Sequence, residues 1–172
     1  MAATNRRRSK GRRDSGTFTR LPHHIFRSAP DRPAPAAALS TKARCLLVDI
    51  CHQYNGSNNG NLAASPKTLR AYGWSSSGTI DDALVELLAT GFLQQTRQGG
   101  RNRASLYAIT WWEIDEGPHD AKADPVPSNL WKPEHAHLRD ESFLRRWQAV
   151  KQRRRGRENA SRYTDKASRY AD

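Results

Sequence analysis

The chain has 172 residues, of which 36% are hydrophobic, and it carries a net charge of +12. That length allows one modest domain with tails, and the low hydrophobic share indicates that part of the chain does not pack into a core. No apolar run reaches about twenty residues, and the polar N-terminus lacks the apolar core of a secretion signal. We therefore expect no membrane span and a cytoplasmic location.

The positive charge lies in two tails. Residues 1–20 hold seven Lys/Arg and one acid, and residues 121–172 hold thirteen Lys/Arg and seven acids. Between them, residues 38–116 hold seven Lys/Arg and seven acids, so this central window is neutral. Attraction to a polyanion is expected from the tails and from local patches, not from the whole fold.

The N-terminal part contains two segments that are not expected to be helical. Residues 1–20 are predicted to form a disordered basic arm, because like charges repel and apolar residues are few. A solubilising tail is one interpretation of this arm. A phosphate-contacting arm is the other, and its candidates are Arg6, Arg7, Arg8, Lys10, Arg12 and Arg13. Residues 21–37 contain four prolines and are predicted to be extended.

Three helices are predicted after residue 38. The first covers residues 40–54, and its apolar stripe consists of Leu39, Ala43, Leu46, Leu47, Ile50 and Tyr54. A second, short helix begins at Ser65-Pro66 and ends before Gly73. The third opens with Ser75–Thr79 and ends at Gly91, and its core-facing positions are Ile80, Ala83, Leu84, Leu87 and Leu88.

A hairpin and a C-terminal helix complete the predicted elements. Two strands are predicted over residues 92–98 and 105–112, with Gly99-Gly100-Arg101-Asn102 as the hairpin tip and Tyr107, Ile109 and Trp111 alternating toward one face. A very short strand near Leu62 precedes the second helix. Residues 117–138 are predicted to be a linker, residues 139–157 an amphipathic basic helix, and residues 158–172 a disordered tail.

This order of elements predicts an α+β fold. Residues 38–116 are expected to form a winged helix-turn-helix of three helices and a β-hairpin wing, flanked by basic tails and followed by the C-terminal helix. Such modules mostly hold double-stranded nucleic acid. The alternative is that the module is only a scaffold and its serines are plain helix caps.

The candidate DNA contacts follow from that architecture. The second helix of a helix-turn-helix offers its N-terminal residues to the major groove, and the preceding helix crosses the phosphate backbone. Hydroxyl groups bond to phosphates or base edges, and arginines suit phosphates or a narrow minor groove. The candidates are Lys67, Arg70, Ser75, Ser76, Ser77, Thr79, Arg97, Arg101, Asn102 and Arg103.

Acidic residues in the third helix argue against a simple DNA-facing surface. Asp81, Asp82 and Glu86 would repel phosphate there. They can instead accept from a cytosine amine, form salt bridges within the protein, or mark a face that binds another protein. The last reading motivates an alternative function, a protein-interaction module that acts as an inhibitor or a loader.

The C-terminal helix has two interpretations. It is either a packed helix whose basic end complements the helix dipole, or a binding element. In the second case Arg153, Arg154 and Arg155 contact nucleic acid, and Phe143, Trp147 and Val150 form a face for a protein partner or a homodimer. RNA binding through the basic tails is a further alternative.

The motifs of common enzymes are missing from the sequence. No phosphate-binding loop and no nucleophile turn is present, and the histidines do not pair with cysteines at zinc-binding spacing. We therefore expect neither an enzyme nor a metal or cofactor. Cys45 and Cys51 lie too far apart on one helix to form a disulfide and are expected to be two buried thiols in a reducing compartment.

Several short motifs resemble those of small winged-helix proteins found on bacterial phages and integrative elements. The resemblance covers about residues 11–115 and rests on Gly11–Gly16 with Phe18, Leu21-Pro22-His23, Leu39-Ser40 with Ala43-Arg44, Tyr54-Asn55-Gly56 with Asn58-Asn59-Gly60, Gly73-Trp74-Ser75, Glu86-Leu87-Leu88, Gly91-Phe92, Thr96–Arg101, and Ser105-Leu106-Tyr107 with Thr110-Trp111. The same part of the chain is similar, more loosely, to the N-terminal domain of phage replication-initiation O-type proteins. The resemblance implies DNA binding in the replication or regulation of a mobile element.

Overall fold

The computed structural model describes residues 18–169, with side chains as far as residue 160.

The first helix begins at a side-chain cap. Helix α1 spans Thr41–His52, and the Ser40 hydroxyl before it accepts a hydrogen bond from the Ala43 amide at 3.3 Å. This bond satisfies a donor that the first helical turn leaves without a partner. The helix predicted over residues 40–54 is confirmed, apart from its ends.

A tight turn joins the next two helices. Helix α2 spans Pro66–Leu69 and is extended by one 3-10 turn, and α3 spans Ser77–Ala89. Between them Gly73 has a φ of +89°, a left-handed conformation that glycine reaches without strain. The apolar side chains of α3 join those of α1 in one buried core. Both helices and the glycine stop between them were predicted.

Three short strands form one antiparallel sheet. Strand β1 is Leu62–Ala63, β2 is Leu93–Arg97 and β3 is Leu106–Ile109, and β3 lies between the other two. Because β1 precedes α2 while β2 and β3 follow α3, the sheet joins both ends of the helical segment. The fold is mixed α+β, as predicted.

Strand β3 is buried on both faces. The alternation of Tyr107 and Ile109 predicted one core-facing side, but Leu106 and Ala108, which alternate to the other side, are buried as well. Gln94 pairs with Ala108 across the sheet, and its side chain accepts a hydrogen bond from the Ser128 hydroxyl at 2.6 Å. The chain beyond the sheet therefore returns to cover its second face.

The segment expected to be a linker, residues 117–138, is packed against the sheet. The Thr96 carbonyl accepts from the amides of Asp120 and Ala121 at 3.0 Å, and the Asn129 amide donates to the Thr110 carbonyl at 2.7 Å. The prolines that suggested a linker prevent regular structure, but they leave these backbone bonds intact. The prediction of a linker was wrong because long-range pairing holds the segment in place.

Helix α4 spans Glu141–Arg169 and is longer than predicted. The expected end at residue 157 and the disordered tail over 158–172 are corrected as far as Arg169, since no proline interrupts this stretch. Val150 is 3% exposed, and Phe143 packs against the core. No helix in the described residues is long and apolar enough to span a bilayer, α4 included.

Asn59 connects the loop after α1 to the end of β3. Its side chain is fully buried, donates to the carbonyls of Ile109 at 2.9 Å and Glu113 at 2.7 Å, and accepts from the Ile109 amide at 2.7 Å. Buried backbone groups need such partners. In sequence Asn59 looks like an ordinary loop residue, so its structural role was not predicted.

We expect Asn59→Ala to lower the free energy of unfolding by about 3 kcal/mol, because buried backbone groups lose their partners. Urea denaturation measures the change. Asn55→Ala is the matched control, since the Asn55 side chain is exposed and accepts locally from the Ser57 amide at 3.0 Å. We expect its effect to stay within about 0.5 kcal/mol. Equal effects of the two substitutions would contradict the role of Asn59.

Candidate nucleic-acid interface

The start of α3 presents exposed hydroxyl groups. Ser75, Ser76 and Ser77 are exposed, and Thr79 is half-buried. The Ser76 hydroxyl accepts from the Thr79 amide at 3.3 Å and so caps the helix, whereas no hydrogen bond of the Ser75 or Ser77 hydroxyl is seen among the described residues. Lys67 and Arg70, on the preceding turns, are exposed as well. Ser76 therefore has a structural role, and the other groups remain candidates for ligand contact.

A groove of about 440 Å³ separates this turn from α1, and its lining includes Lys42, Asp49 and Ser75. The Trp74 indole donates to the Asp49 carboxylate at 2.7 Å, which fastens the turn to α1. Trp74 itself is partly buried and packs against the core.

Two of the three hairpin arginines have partners within the protein. The Arg97 guanidinium donates to the Ala104 carbonyl at 3.0 and 3.1 Å and to the Pro118 carbonyl at 3.0 Å. Arg103 forms a salt bridge of 2.7 Å with Asp120. We assign Arg97 to bracing the hairpin, because Nε and both terminal nitrogens already donate to backbone carbonyls, and turning the side chain toward a phosphate would break these bonds.

The hairpin tip remains open at Arg101 and Asn102. Both side chains are exposed, and Arg101 has no ion pair with any residue in the range 18–160. Asn102 adopts a φ of +61°, which asparagine tolerates better than most residues. Arg101 is thus the hairpin arginine best placed to meet a phosphate.

The acids of α3 form salt bridges with α4. Asp81 pairs with Arg146 at 3.2 Å, Asp82 with Arg153 at 2.7 Å, and Glu86 with Arg154 at 3.0 Å. Of the three explanations open from the sequence, bridging within the protein accounts for all three acids. Because each pair couples α3 to α4, the acids do not form a free negative surface.

Helix α4 closes the outer face of α3. Val85 and Ala89 are each 2% exposed, and Glu86 is 1% exposed. These three residues lie outside the apolar stripe predicted for α3, so their burial comes from contacts on the other side of the helix. The first turn of α3 stays open, with Ser77 and Gly78 exposed. Asp81 is exposed and Asp82 is half-buried, whereas Ala83 to Ala89 are all buried, so any ligand of α3 in this conformation is limited to the part before Ala83.

Glu86 is a buried carboxylate with three donors. It accepts from the Ser40 amide, from the Ser40 hydroxyl at 2.7 Å, and from Arg154 at 3.0 Å. The Arg154 guanidinium also lies 4.9 Å from the centre of the Trp147 ring. A buried charge requires such compensation. Glu86 therefore joins the start of α1, the middle of α3 and α4 at one point.

The residues proposed from sequence for α4 are largely engaged in this contact. Phe143 and Val150 pack within the chain, so the expected partner or dimer face through Phe143, Trp147 and Val150 is occupied by the protein itself. Arg153 and Arg154 bind α3, and Arg155 is exposed. Arg146 was missed, although its spacing of seven and eight residues from Arg153 and Arg154 puts all three on adjoining positions of one helix.

The N-terminal candidates Arg6, Arg7, Arg8, Lys10, Arg12 and Arg13 lie outside the described residues. Among the side chains of residues 18–160, no group of three or more His, Cys, Asp or Glu is close enough to hold a metal ion. The ring nitrogens of His119 lie 2.8 and 2.9 Å from the carbonyls of Asp115 and Ala121, so this histidine is used to hold the chain after β3.

The two cysteines differ in exposure. Both are free, as expected, but Cys45 is exposed and only Cys51 is buried. The prediction of two buried thiols was wrong for Cys45, because the apolar stripe of α1 turns away from that position. Burial raises the pKa of the Cys51 thiol to about 12.

Comparison with protein-family models, with curated proteins and with solved structures finds no match to this chain.

Replacing Arg154 should expose the dependence of Glu86 on its charged partner. We expect Arg154→Met to lower the free energy of unfolding by about 3 kcal/mol, since the buried carboxylate keeps only neutral donors. Chemical denaturation measures this loss. Arg155→Met removes the same charge from an exposed neighbour and should change stability by less than about 0.5 kcal/mol.

A double-variant cycle completes this test. Glu86→Gln combined with Arg154→Met should cost less than the sum of the single changes, because no charge is then left buried. Strict additivity would mean that the two side chains do not interact.

Thiol labelling should distinguish the cysteines. At mildly alkaline pH, a disulfide reagent should modify Cys45 rapidly in the native protein and Cys51 only after unfolding, because the buried Cys51 thiol stays protonated. Counting released thiolate in native and denatured samples measures this. Cys45→Ser should remove the fast reaction, and fast labelling that persists in this variant would contradict the assignment.

Proposed function

We propose that this chain is a winged helix-turn-helix protein that binds duplex DNA, in replication initiation or transcriptional regulation of a mobile element. The sheet order carries the proposal: β1 lies between α1 and α2 in the chain but pairs with β3, and β2 and β3 form a hairpin directly after α3. A helix-turn-helix followed by a hairpin wing has this order of elements.

The exposed groups support contact with phosphates. Ser75 and Ser77 lie at the N-terminal turn of α3, where backbone N–H groups and the helix dipole favour an anion. Lys67, Arg70 and Arg101 are exposed cations without an ion pair among the described residues. The acids nearest to them on α3 are neutralised by α4, which removes the repulsion that a free acidic helix would exert.

The biological setting rests on the sequence resemblance alone. Motifs between residues 11 and 115 resemble winged-helix proteins of phages and integrative elements, and this likeness favours replication or regulation of such an element. The two basic tails, each with a formal excess of six positive charges in residues 1–20 and 121–172, fit sequence-independent attraction to DNA.

Closure of α3 favours a second candidate. A helix-turn-helix presents its second helix to the major groove, and here Ala83 to Ala89 of α3 are buried while α4 pairs with the acids beside them. A module so closed fits a protein-interaction role, as an inhibitor or a loader. Pull-down from host lysate treated with nuclease separates the candidates, since a specific partner kept without nucleic acid favours the second.

Replacing the open hairpin arginine tests the first candidate. With a fluorescent duplex, we expect the affinity to fall as salt rises, and Arg101→Gln to reduce the slope of log K against log salt by about 1, because one phosphate contact is lost. Anisotropy titration at several salt concentrations measures both quantities. Arg27→Gln removes the same charge from another exposed position and should leave the slope unchanged. An affinity for the duplex that does not change with salt concentration would contradict the proposal.

A further inference from the structure

The solvent side of α4 carries a stripe of long polar side chains. Arg145, Gln148, Gln152, Arg155 and Asn159 are all exposed. Their spacings alternate between three and four residues, so they follow one face of the helix. At a rise of about 1.5 Å per residue, this outer stripe is about 21 Å long.

The opposite face of α4 explains why the stripe points outward. Phe143, Trp147, Val150 and Arg154 share the same alternation on the side that packs on the core and on Glu86. Arg146 and Arg153 flank them and bind Asp81 and Asp82. With one side fixed by these contacts, the rigid geometry of the helix keeps the outer stripe in solvent.

The net positive charge of α4 around the outer stripe favours a polyanion as its binding partner over a protein surface of mixed charge. Residues 145–159, the span of the outer stripe, contain seven Lys/Arg and one acid, Glu158. Three of the seven cations pair with α3, and the other four, Arg145, Lys151, Arg155 and Arg157, form no salt bridge with residues 18–160. Salt bridges within the protein therefore neutralise fewer than half of the cations in this part of α4.

The chemistry of the outer stripe matches base-edge recognition. Arginine donates in a bidentate manner to guanine, and glutamine or asparagine bonds in a bidentate manner to adenine. A single α-helix fits the major groove of duplex DNA, and residues 155–160 are exposed on every side of α4. An acidic protein would need the cations, but it would not require amides in register with them.

We propose that α4, and not α3, is the helix that enters the major groove, with Arg145 and Arg155 on phosphates or guanines and Gln148 and Gln152 on base edges. The inference rests on the proposed duplex-DNA function and changes the element that performs it. Helix α3 serves as the support that fixes the rotation of α4 about its axis.

Two charge-matched double variants test the proposal in anisotropy titrations of the full chain with a fluorescent random-sequence duplex. Arg145→Gln with Arg155→Gln should lose about tenfold or more in affinity at moderate salt and lower the salt slope by about 2. Arg27→Gln with Arg44→Gln removes two exposed cations elsewhere and should lose less than about threefold. Equal losses in the two variants would overturn the proposal in favour of general electrostatic attraction.

The amides are tested without any change of charge. After binding-site selection from random duplexes, Gln148→Ala with Gln152→Ala should lose most of the preference for the selected site, while its salt slope stays that of the wild type. An unchanged preference would overturn the assignment of base contacts to α4.

A variant with weakened contacts between α3 and α4 distinguishes this proposal from a competing explanation. In that explanation α3 is the helix that enters the major groove, and α4 blocks it. Arg146→Gln with Arg153→Gln breaks the two outer salt bridges to α3 and should bind DNA more weakly than the wild type, because two of the three ion pairs that hold the rotation of α4 are lost. Tighter binding, despite two lost cations, would overturn the proposal and identify α4 as an autoinhibitory cover.

Failure of the underlying function has a different signature. If the wild-type chain binds neither random nor selected duplex at low salt, or prefers a structured RNA of equal length, the duplex-DNA function itself is lost and the assignment to α4 with it. If the wild type binds duplex and the outer-stripe variants bind equally well, only the assignment to α4 fails.

Discussion

The buried carboxylate of Glu86 is the contact on which the arrangement of the helices depends. A negative charge that is 1% exposed is tolerated only because Ser40 and Arg154 both donate to it. These donors belong to the start of α1 and to α4, so satisfying one charge fixes three helices relative to one another. An apolar residue at this position would fill the space without specifying a direction, whereas the carboxylate admits α4 only where a guanidinium reaches it.

This constraint also explains the distribution of charge. In sequence, the central window is neutral and the C-terminal tail is strongly basic, which suggests two independent parts. In the structure the parts are joined, because three acids of α3 pair with three arginines of α4. The outer pairs are exposed and contribute little stability each, while the pair at Glu86 is shielded from solvent on its acid side. The buried pair therefore determines where α4 packs on α3, and the exposed pairs add further contacts in the same alignment of the two helices.

The local elements were predictable from the sequence, and their long-range contacts were not. Helix α1 and the turn at Gly73 follow from side-chain caps, apolar spacing and glycine conformation, all of which act within a few residues. The burial of Asn59 depends on a strand end fifty residues later in the chain. The pair of Arg154 with Glu86 spans sixty-eight residues. No local pattern records either contact, so Asn59 resembled a loop residue and Arg154 a free cation.

The same limit applies to the candidate interface. Composition identifies which side chains suit DNA, but exposure and internal partners decide which of them are available, and these depend on tertiary packing. Arg97 has the right chemistry yet is held by two backbone carbonyls, while Arg101, four residues later, is open. On α4 the relation is stricter: once Arg154 is drawn inward to Glu86, the period of the helix directs Gln152 and Arg155 outward. The internal contact therefore determines which chemistry the surface presents, and a change at Glu86 would alter the outer stripe without touching any of its residues.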